Sequence, residues 1–177
     1  MKRKVTKITE SRPSALDPAT LCPVARTAAV VGDRWTVLIL RELFADSHRF
    51  EEIQAQSGAT PQMVAARLKT LEAEGLVERR IYSERPLRHD YHLTPKGEAF
   101  YPVILAMRAW GETWFKSEEE GVAIHYTHIP CGKEPGLGPA CQNCGAVMRR
   151  NELIPRLSRA FAEERENKRA IFKAVRV

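Results

Sequence analysis

The sequence lacks any segment that could cross a membrane. No stretch approaches the roughly 18–20 consecutive apolar residues that a transmembrane helix needs. The basic start, residues 1–4, is not followed by the apolar region of a signal peptide, so we expect a cytoplasmic protein with no membrane partner. The sequence also lacks a phosphate-binding loop, a nucleophile–base–acid set and an open metal site, which argues against an enzyme.

Cysteine is scarce, with four in 177 residues, and the four are too unevenly placed for a disulfide scaffold. Cys22 stands alone, whereas Cys131, Cys141 and Cys144 lie close together. In a reducing compartment such a cluster indicates metal ligands before it indicates disulfides.

The remaining composition is that of an ordinary globular chain, with 44% hydrophobic and 28% charged residues. Its length suits one domain and a small appendage. The formal net charge is +6 and the isoelectric point is about 9.3. This basic excess favours nucleic acid as a partner, although many basic proteins bind none.

Two helices are predicted in the first strongly apolar stretch, residues 25–44. The stretch is interrupted at residues 32–34, where Asp33 is a residue type that commonly caps a helix N-terminus. In the second of these helices, apolar side chains recur at helical spacing: Trp35, Leu38, Ile39, Leu43 and Phe44.

A second helix pair follows. Residues 50–57 form a short amphipathic pattern that ends at Gly58, a suitable C-terminal residue. Thr60 and Pro61 then supply a capping hydroxyl and a first-turn proline, and the next helix ends near Gly75. Helix, glycine-containing turn and helix is the pattern of a helix-turn-helix.

A hairpin is predicted directly after this pair. Residues 76–82 and 89–94 are strand-like, and residues 83–88 form a polar, proline-containing loop with a basic tip. A hairpin in this position is the wing of a winged helix-turn-helix.

A long helix is then expected to run from Pro95 to Phe115. Its apolar surface exceeds what a winged helix of this size covers, so it predicts a dimer interface. The interface candidates are Met107, Trp110 and Trp114. The alternative is that such side chains close the core of the monomer, as we expect for Phe100 and Ile104.

Together these residues resemble the HxlR-type family of winged helix-turn-helix regulators over roughly residues 22–114. The residues that carry the resemblance are Cys22-Pro23-Val24, Gly32 to Thr36, Leu38 to Leu43, Arg49-Phe50, Gln62, Leu68, Leu71, Glu74 to Arg79, Leu93-Thr94 and Lys96-Gly97. The resemblance implies a homodimer that binds a short inverted repeat near promoters, often in response to a reactive small molecule or redox stress.

In such a fold the second helix of the pair enters the major groove by its N-terminal part. The residues expected to contact DNA are Thr60, Pro61, Gln62, Met63, Ala66, Arg67, Lys69 and Thr70 on this helix and Arg85 and Arg88 on the wing. Gln62 suits an adenine edge, and Arg67 suits guanine or phosphate. The alternative is a solvated polar face without DNA contact.

Cys22 precedes Pro23 at a predicted helix start, where the helix dipole and free N–H groups can lower the pKa of a thiol. The resemblance implies that a cysteine at this place can sense oxidants or electrophiles. An unreactive capping residue is the structural alternative, and both readings stay open.

A structural zinc ion, one per chain, is predicted in the C-terminal part. His128 with Cys131 and Cys141 with Cys144 form two ligand-x-x-ligand turns, each followed by glycine, and a Cys₃His set closes a tetrahedral site. The segment resembles a minimal zinc ribbon and has almost no apolar core, so an ion would order it. His125 is a spare ligand. Free thiols and a Cys141–Cys144 redox pair are the alternatives.

The fold class is therefore mainly α with a small β-hairpin, a winged helix-turn-helix plus a short Cys/His zinc-binding extension. The predicted units are a flexible basic arm (1–18), a DNA-binding and dimerisation domain (19–118), a zinc-knuckle extension (119–150) and a basic C-terminal helix or tail (151–177). In the last unit Leu153, Leu157 and Phe161 are expected on one helix face, and its packing is left undecided.

The expected function is sequence-specific transcriptional regulation by a homodimer on a palindromic operator. Repression is the expected action, with activation left open, and the effector is a small molecule or a redox signal. The expected partner is double-stranded DNA, which places the protein at the nucleoid. The alternative is a zinc-ribbon interaction module whose helix-turn-helix binds protein.

Overall fold

A computed structural model describes residues 20–175 of the chain, so the predicted arm at 1–18 lies outside the described residues. The helices and strands are α1 (Pro23–Val31), α2 (Arg34–Phe44), α3 (Phe50–Ser57), α4 (Pro61–Ala73), β1 (Val77–Glu84), β2 (Leu87–Leu93), α5 (Pro95–Glu98), α6 (Tyr101–Trp114), β3 (Ile124–His128), β4 (Leu153–Leu157) and α7 (Arg159–Val175). No helix within the described range is long and apolar enough to cross a bilayer.

The helix boundaries follow the predicted capping residues. Asp33 Oδ1 accepts hydrogen bonds from the N–H groups of Trp35 and Thr36, at 3.0 and 3.2 Å, at the start of α2. Thr60 Oγ1 accepts from the N–H of Met63 at 3.3 Å at the start of α4. These bonds satisfy first-turn N–H groups that have no partner within the helix.

The core lies where α2, α3, α4 and α6 meet. Its fully buried apolar side chains are Ile39, Leu40, Leu43, Ile53, Val64, Leu68, Leu71 and Leu105. Burying a side chain of this kind contributes about 1.5–3 kcal/mol. Phe100 and Ile104 pack against this core, so the structure confirms the monomeric role expected for them.

The wing is a two-stranded antiparallel ribbon, with pairing from Val77↔Leu93 to Glu84↔Leu87. The prediction of a loop at 83–88 is wrong, because the strands continue to a turn at Arg85 and Pro86. Most side chains of β1 are exposed, so polar residues belong in this strand and do not mark its end.

The predicted long helix from Pro95 to Phe115 is also wrong, since it is broken into α5 and α6. Pro102 lies in the first turn of α6. A proline inside a continuous helix would lack the N–H that bonds to Glu98, and its ring would clash with that carbonyl. Two helices avoid this conflict.

The structure joins the last two predicted units, and residues 119–175 are called the extension from here on. It contains a second antiparallel ribbon, with β3 paired to β4 from Ile124↔Leu157 to His128↔Leu153. The predicted helix face through Leu153 and Leu157 is therefore wrong. Pro155 disfavours a helix there, and the helix begins only at Arg159.

Helix α7 packs on α3, which settles the placement that the sequence leaves undecided. Gln56 Nε2 donates to the carbonyl of Arg165 at 2.9 Å, and the Arg169 guanidinium lies 2.7 Å from Glu52 Oε1. The extension is thus bonded to the helix-turn-helix of the same chain.

Candidate DNA-binding surface and metal centre

The start of α4 faces outward. Thr60, Pro61 and Gln62 are exposed, and so are Ala66, Lys69 and Thr70 along the same helix. Met63 is half-buried and packs against the core, so only part of its side chain is available to a partner.

Arg67 is the one predicted reader on α4 that is held by another side chain. Its Nε lies 3.1 Å from Asp33 Oδ1, at the start of α2. Burial raises the pKa of Asp33, but hydrogen bonds from the Thr36 hydroxyl and N–H, together with the Arg67 charge, leave this pKa below its ordinary value. Asp33 thus caps α2 and pairs with Arg67 as a carboxylate.

The cations near α4 divide into paired and unpaired groups. Arg79 and Arg80 on β1 form ion pairs with Glu72 and Glu78, at 2.8 and 2.6 Å. Within the described residues, no carboxylate pairs with Lys69, Arg85 or Arg88, and all three are exposed. These three charges are therefore available to phosphate groups.

The dimerisation candidates form an exposed apolar patch on α6. Met107, Trp110 and Trp114 are 48%, 61% and 68% exposed, and the rings of the two tryptophans are 5.9 Å apart. Beside this patch an apolar groove of about 450 Å³ runs between α1 and α6. A patch of this kind typically belongs to an interface.

Cys22 is exposed and caps α1, with its Sγ accepting the N–H of Ala25 at 3.5 Å. The expected position at a helix start is confirmed, whereas reactivity stays a prediction.

The structure brings the four predicted metal ligands together. One ligand atom from each of His128, Cys131, Cys141 and Cys144 lies within 4.8 Å of all the others. His128 Nδ1 is 3.3 Å from Cys131 Sγ and 3.5 Å from Cys144 Sγ, and the sulfurs of Cys131 and Cys141 are 3.8 Å apart. Zinc bonds of about 2.3 Å to sulfur and 2.0–2.1 Å to nitrogen imply tetrahedral edges of about 3.5–3.8 Å, and these three separations are close to that range.

The backbone of both turns supports this geometry. Gly132 and Gly145 have φ values of 67° and 74°, a conformation that other residues adopt at a cost. Burial raises the pKa of Cys141, but the N–H groups of Asn143 and Cys144 bring this pKa down to about 6. His125 lies outside the group, since its Nδ1 is 2.7 Å from Glu134 Oε1.

Sequence reasoning missed two features of this region. Strand β3 was not predicted, because its five residues alternate too briefly to stand out. The buried ion pair between Glu42 and Arg165 was also missed. A glutamate among the apolar residues Ile39, Leu40 and Leu43 of α2 is the signal that could have revealed it.

The sequence of this chain is similar to those of known helix-turn-helix transcriptional regulators. The family model of the HxlR-like helix-turn-helix matches residues 30–119. The uncharacterized HTH-type transcriptional regulator Mb3122 of Mycobacterium bovis is 33% identical over 132 residues, which cover 75% of this chain and 83% of that protein. YvaP of Bacillus subtilis, also an uncharacterized HTH-type transcriptional regulator, is 35% identical over 56% of this chain and 94% of its own length.

Two solved structures share the fold. The crystal structure of PA1607 matches with a TM-score of 0.60 and 31% identity, covering 80% of this chain and 96% of its own. The redox regulator HypR in its reduced form matches with a TM-score of 0.50 and 31% identity, covering 56% of this chain and 99% of its own. The match to PA1607 covers 80% of this chain, which is more than all residues up to the end of the family match at residue 119, so it includes part of the extension.

Proposed function

Because this chain belongs to the HxlR-like helix-turn-helix family of transcriptional regulators, we propose that it represses transcription as a homodimer bound to a palindromic operator. One observation carries the DNA-binding part of this proposal. Helix α4 presents its N-terminus outward, beside a wing whose Arg85 and Arg88 have no carboxylate partner in the described part of the chain.

The polar side chains of this surface divide into those that read bases and those that bind phosphates in this proposal. The N-terminus of α4 enters the major groove, where Gln62 reads a base edge. Lys69, Arg85 and Arg88 neutralise phosphates on either side. To contact the same groove, the Arg67 side chain either breaks its ion pair with Asp33 or extends beyond it.

The homodimer forms through α6. Met107, Trp110 and Trp114 of one copy cover the same residues of the other, and the groove beside α1 receives part of this surface. A two-fold axis through α6 then presents two α4 helices to half-sites about one DNA turn apart.

The regulatory signal is oxidative or electrophilic, and Cys22 is its target. Two observations support this: Cys22 is exposed at a helix N-terminus, and HypR is a redox regulator with a similar fold. Modification of Cys22 would disturb the capping of α1, which borders the groove at the dimer surface.

The extension holds one structural zinc ion. His128, Cys131, Cys141 and Cys144 would be its ligands and would leave no position open for substrate. The ion would fix the two turns between β3 and β4, which contain few buried apolar side chains.

Genome-wide mapping of occupied sites, with and without an oxidant, tests this function directly. We expect a palindromic motif near promoters that loses occupancy after oxidation, and no such loss in a Cys22→Ser strain. The purified protein should bind the mapped duplex with an affinity that falls steeply with salt. Absence of any motif, together with no binding to duplexes at low ionic strength, would disprove DNA recognition.

The alternative function is a protein-interaction module. It is favoured by Ile129, Val147 and Ile154, which are exposed apolar side chains on the extension. Partners that survive nuclease treatment in a pull-down would support it, and partners that depend on DNA would support the regulator.

A further inference from the structure

A cavity of about 760 Å³ lies between the helix-turn-helix and the extension. Its walls come from α2, the segment after α2, α6, both strands of the second ribbon and α7. This volume falls within the range of about 300–1,000 Å³ that small-molecule sites occupy.

The walls of this cavity combine apolar surface with positive charge. Leu38, Phe44, Ile104, Tyr126 and Phe161 contribute apolar and aromatic surface. Six arginines line the cavity, against three carboxylates. Even with Glu42 and Asp90, the partners of three of these arginines, the positive charges remain in excess, which suits an anion with an apolar body.

Five of the six arginines already have a carboxylate. The pairs are Arg41 with Glu42, Arg49 with Asp90, Arg150 with Asp46, Arg165 with Glu42 and Arg169 with Glu52. Arg41 and Arg165 share the carboxylate of Glu42, and the other three arginines have one carboxylate each, so these five do not by themselves require a ligand.

Arg108 on α6 is different. Its Nη1 donates to the carbonyl of Leu137 at 2.9 Å, its Nη2 donates to the carbonyl of Ile124, and its guanidinium lies 5.0 Å from the centre of the Tyr126 ring. All these acceptors are neutral. Between residues 20 and 175 no carboxylate pairs with Arg108, and its buried Nε has no hydrogen-bond partner.

The nearest carboxylate on the same helix is engaged elsewhere. Glu112 follows one turn after Arg108, but it accepts the N–H of Ala123 at 3.0 Å and pairs with Lys116 at 3.1 Å. A half-buried cation without a counter-ion is costly, and an anion bound in the cavity would remove that cost.

We propose that this cavity binds a small organic anion with an apolar or aromatic body, and that Arg108 receives its negative group. The apolar part of the ligand lies against Ile104, Tyr126 and Phe161. Binding of this ligand does not require DNA. Only the role of the cavity as an effector site rests on the proposed function. In that role the ligand would act through the segment after α2, which leads into α3 and then α4.

The test compares two fluorescent probes with related aromatic bodies. One is 8-anilinonaphthalene-1-sulfonate, an anion, and the other is N-phenyl-1-naphthylamine, which lacks the sulfonate. Titration of the free, full-length protein should give one saturable site for the anion, at least about tenfold tighter than for the neutral probe.

Variants then assign the site. Arg108→Gln should weaken the anionic probe about tenfold or more and leave the neutral probe unchanged, whereas Arg108→Lys should keep most of the preference. Arg159→Gln, which removes an exposed charge outside the cavity, is the matched control and should bind like wild type. Circular dichroism checks that each variant is folded.

Three results would overturn the site. The first is equal binding of the anionic probe by wild type and Arg108→Gln, and the second is identical behaviour of folded Arg108→Gln and Arg108→Lys. The third is loss of the signal in Trp110→Ser, which would place the probe on the exposed patch of α6. DNA binding is measured separately, so failure of the cavity and failure of the regulator are distinguishable.

Discussion

Arg165 Nη2 lies 2.7 Å from Glu42 Oε2, and both side chains are almost completely buried although 123 positions separate them in the chain. The second amino group, Nη1, bonds to Oε1 at 3.0 Å, so the pair is bidentate. This contact joins α7 to α2 and is a buried, bidentate polar link between the extension and the helix-turn-helix.

Removing one member of this pair should destabilise the protein. We expect Arg165→Met to lower the free energy of unfolding by about 1.5–3 kcal/mol, because the buried Glu42 carboxylate loses its bidentate partner and keeps only Arg41 as a counter-ion. Urea denaturation measures the change. Arg159→Met removes an exposed ion pair on the same helix and should change stability by less than about 1 kcal/mol. Equal effects of the two substitutions would contradict this assignment.

Asp33 predicts a specific dependence of stability on pH. Its pKa is lower in the folded protein than its ordinary value of 3.8. Its charge therefore contributes stability above pH 3.8, and this contribution is lost as the pH falls through the lower folded value. Stability of Asp33→Asn should fall less steeply than that of wild type in this acid range. Parallel curves for the two proteins would show that Asp33 does not contribute.

Two substitutions separate base reading from phosphate binding. Gln62→Ala should weaken binding to the preferred operator by about 1–3 kcal/mol and relax the base preference at one position. Arg85→Ala should weaken binding to all sequences and reduce the salt slope by about one. Arg79→Ala is the matched wing control and should change little, because Glu72 already neutralises that charge. Wild-type affinity and preference in both test variants would refute the placement of α4 in the groove.

Metal content tests the Cys₃His group. Elemental analysis of the purified protein should give about one zinc ion per chain, and Cys141→Ser should lose it. Cys22→Ser removes a thiol outside the group and should keep the ion. The thermal midpoint should fall on chelation in wild type. A fully folded extension in metal-free protein would disprove a structural role for zinc.

The exposed patch of α6 predicts the oligomeric state. Wild type should sediment as a dimer, and the double variant Trp110→Ser, Trp114→Ser should shift to monomer and lose operator affinity, since large exposed apolar side chains are the core of such interfaces. Ile171→Ser replaces an exposed apolar residue on α7 and should leave the dimer intact. If the double variant remains a dimer, the interface does not lie on α6.

Local signals in the sequence predicted the helix-turn-helix part of the fold. Caps such as Asp33 and Thr60 act within one helical turn, so the residues that fix these helix starts stand beside each other in the chain. The four candidate metal ligands were found for the same reason, because two short turns hold them. The hairpin was placed correctly, although its exposed strands hid the true length of the ribbon.

Long-range contacts could not be predicted in this way. Nothing near Arg165 in the sequence indicates that Glu42 is its partner, and the cavity exists only because α7 and the second ribbon fold back over α2 and α6. Pro102 was a local signal that a continuous apolar pattern concealed. The break in the helix follows from the chemistry of proline, whereas the position of α7 follows from contacts with α2 and α3, which are distant in the chain.

Helix α6 carries Trp110 only two positions after Arg108, so the two side chains leave the helix about 200° apart. Trp110 lies on the side of the helix that faces the proposed second copy. Arg108 lies on the other side and donates hydrogen bonds to backbone carbonyl groups of the extension. Rotation of α6 about its own axis would therefore move the extension and the proposed dimer contact in opposite directions. Such a rotation would couple the position of the extension in each copy to the distance between the two α4 helices of the dimer.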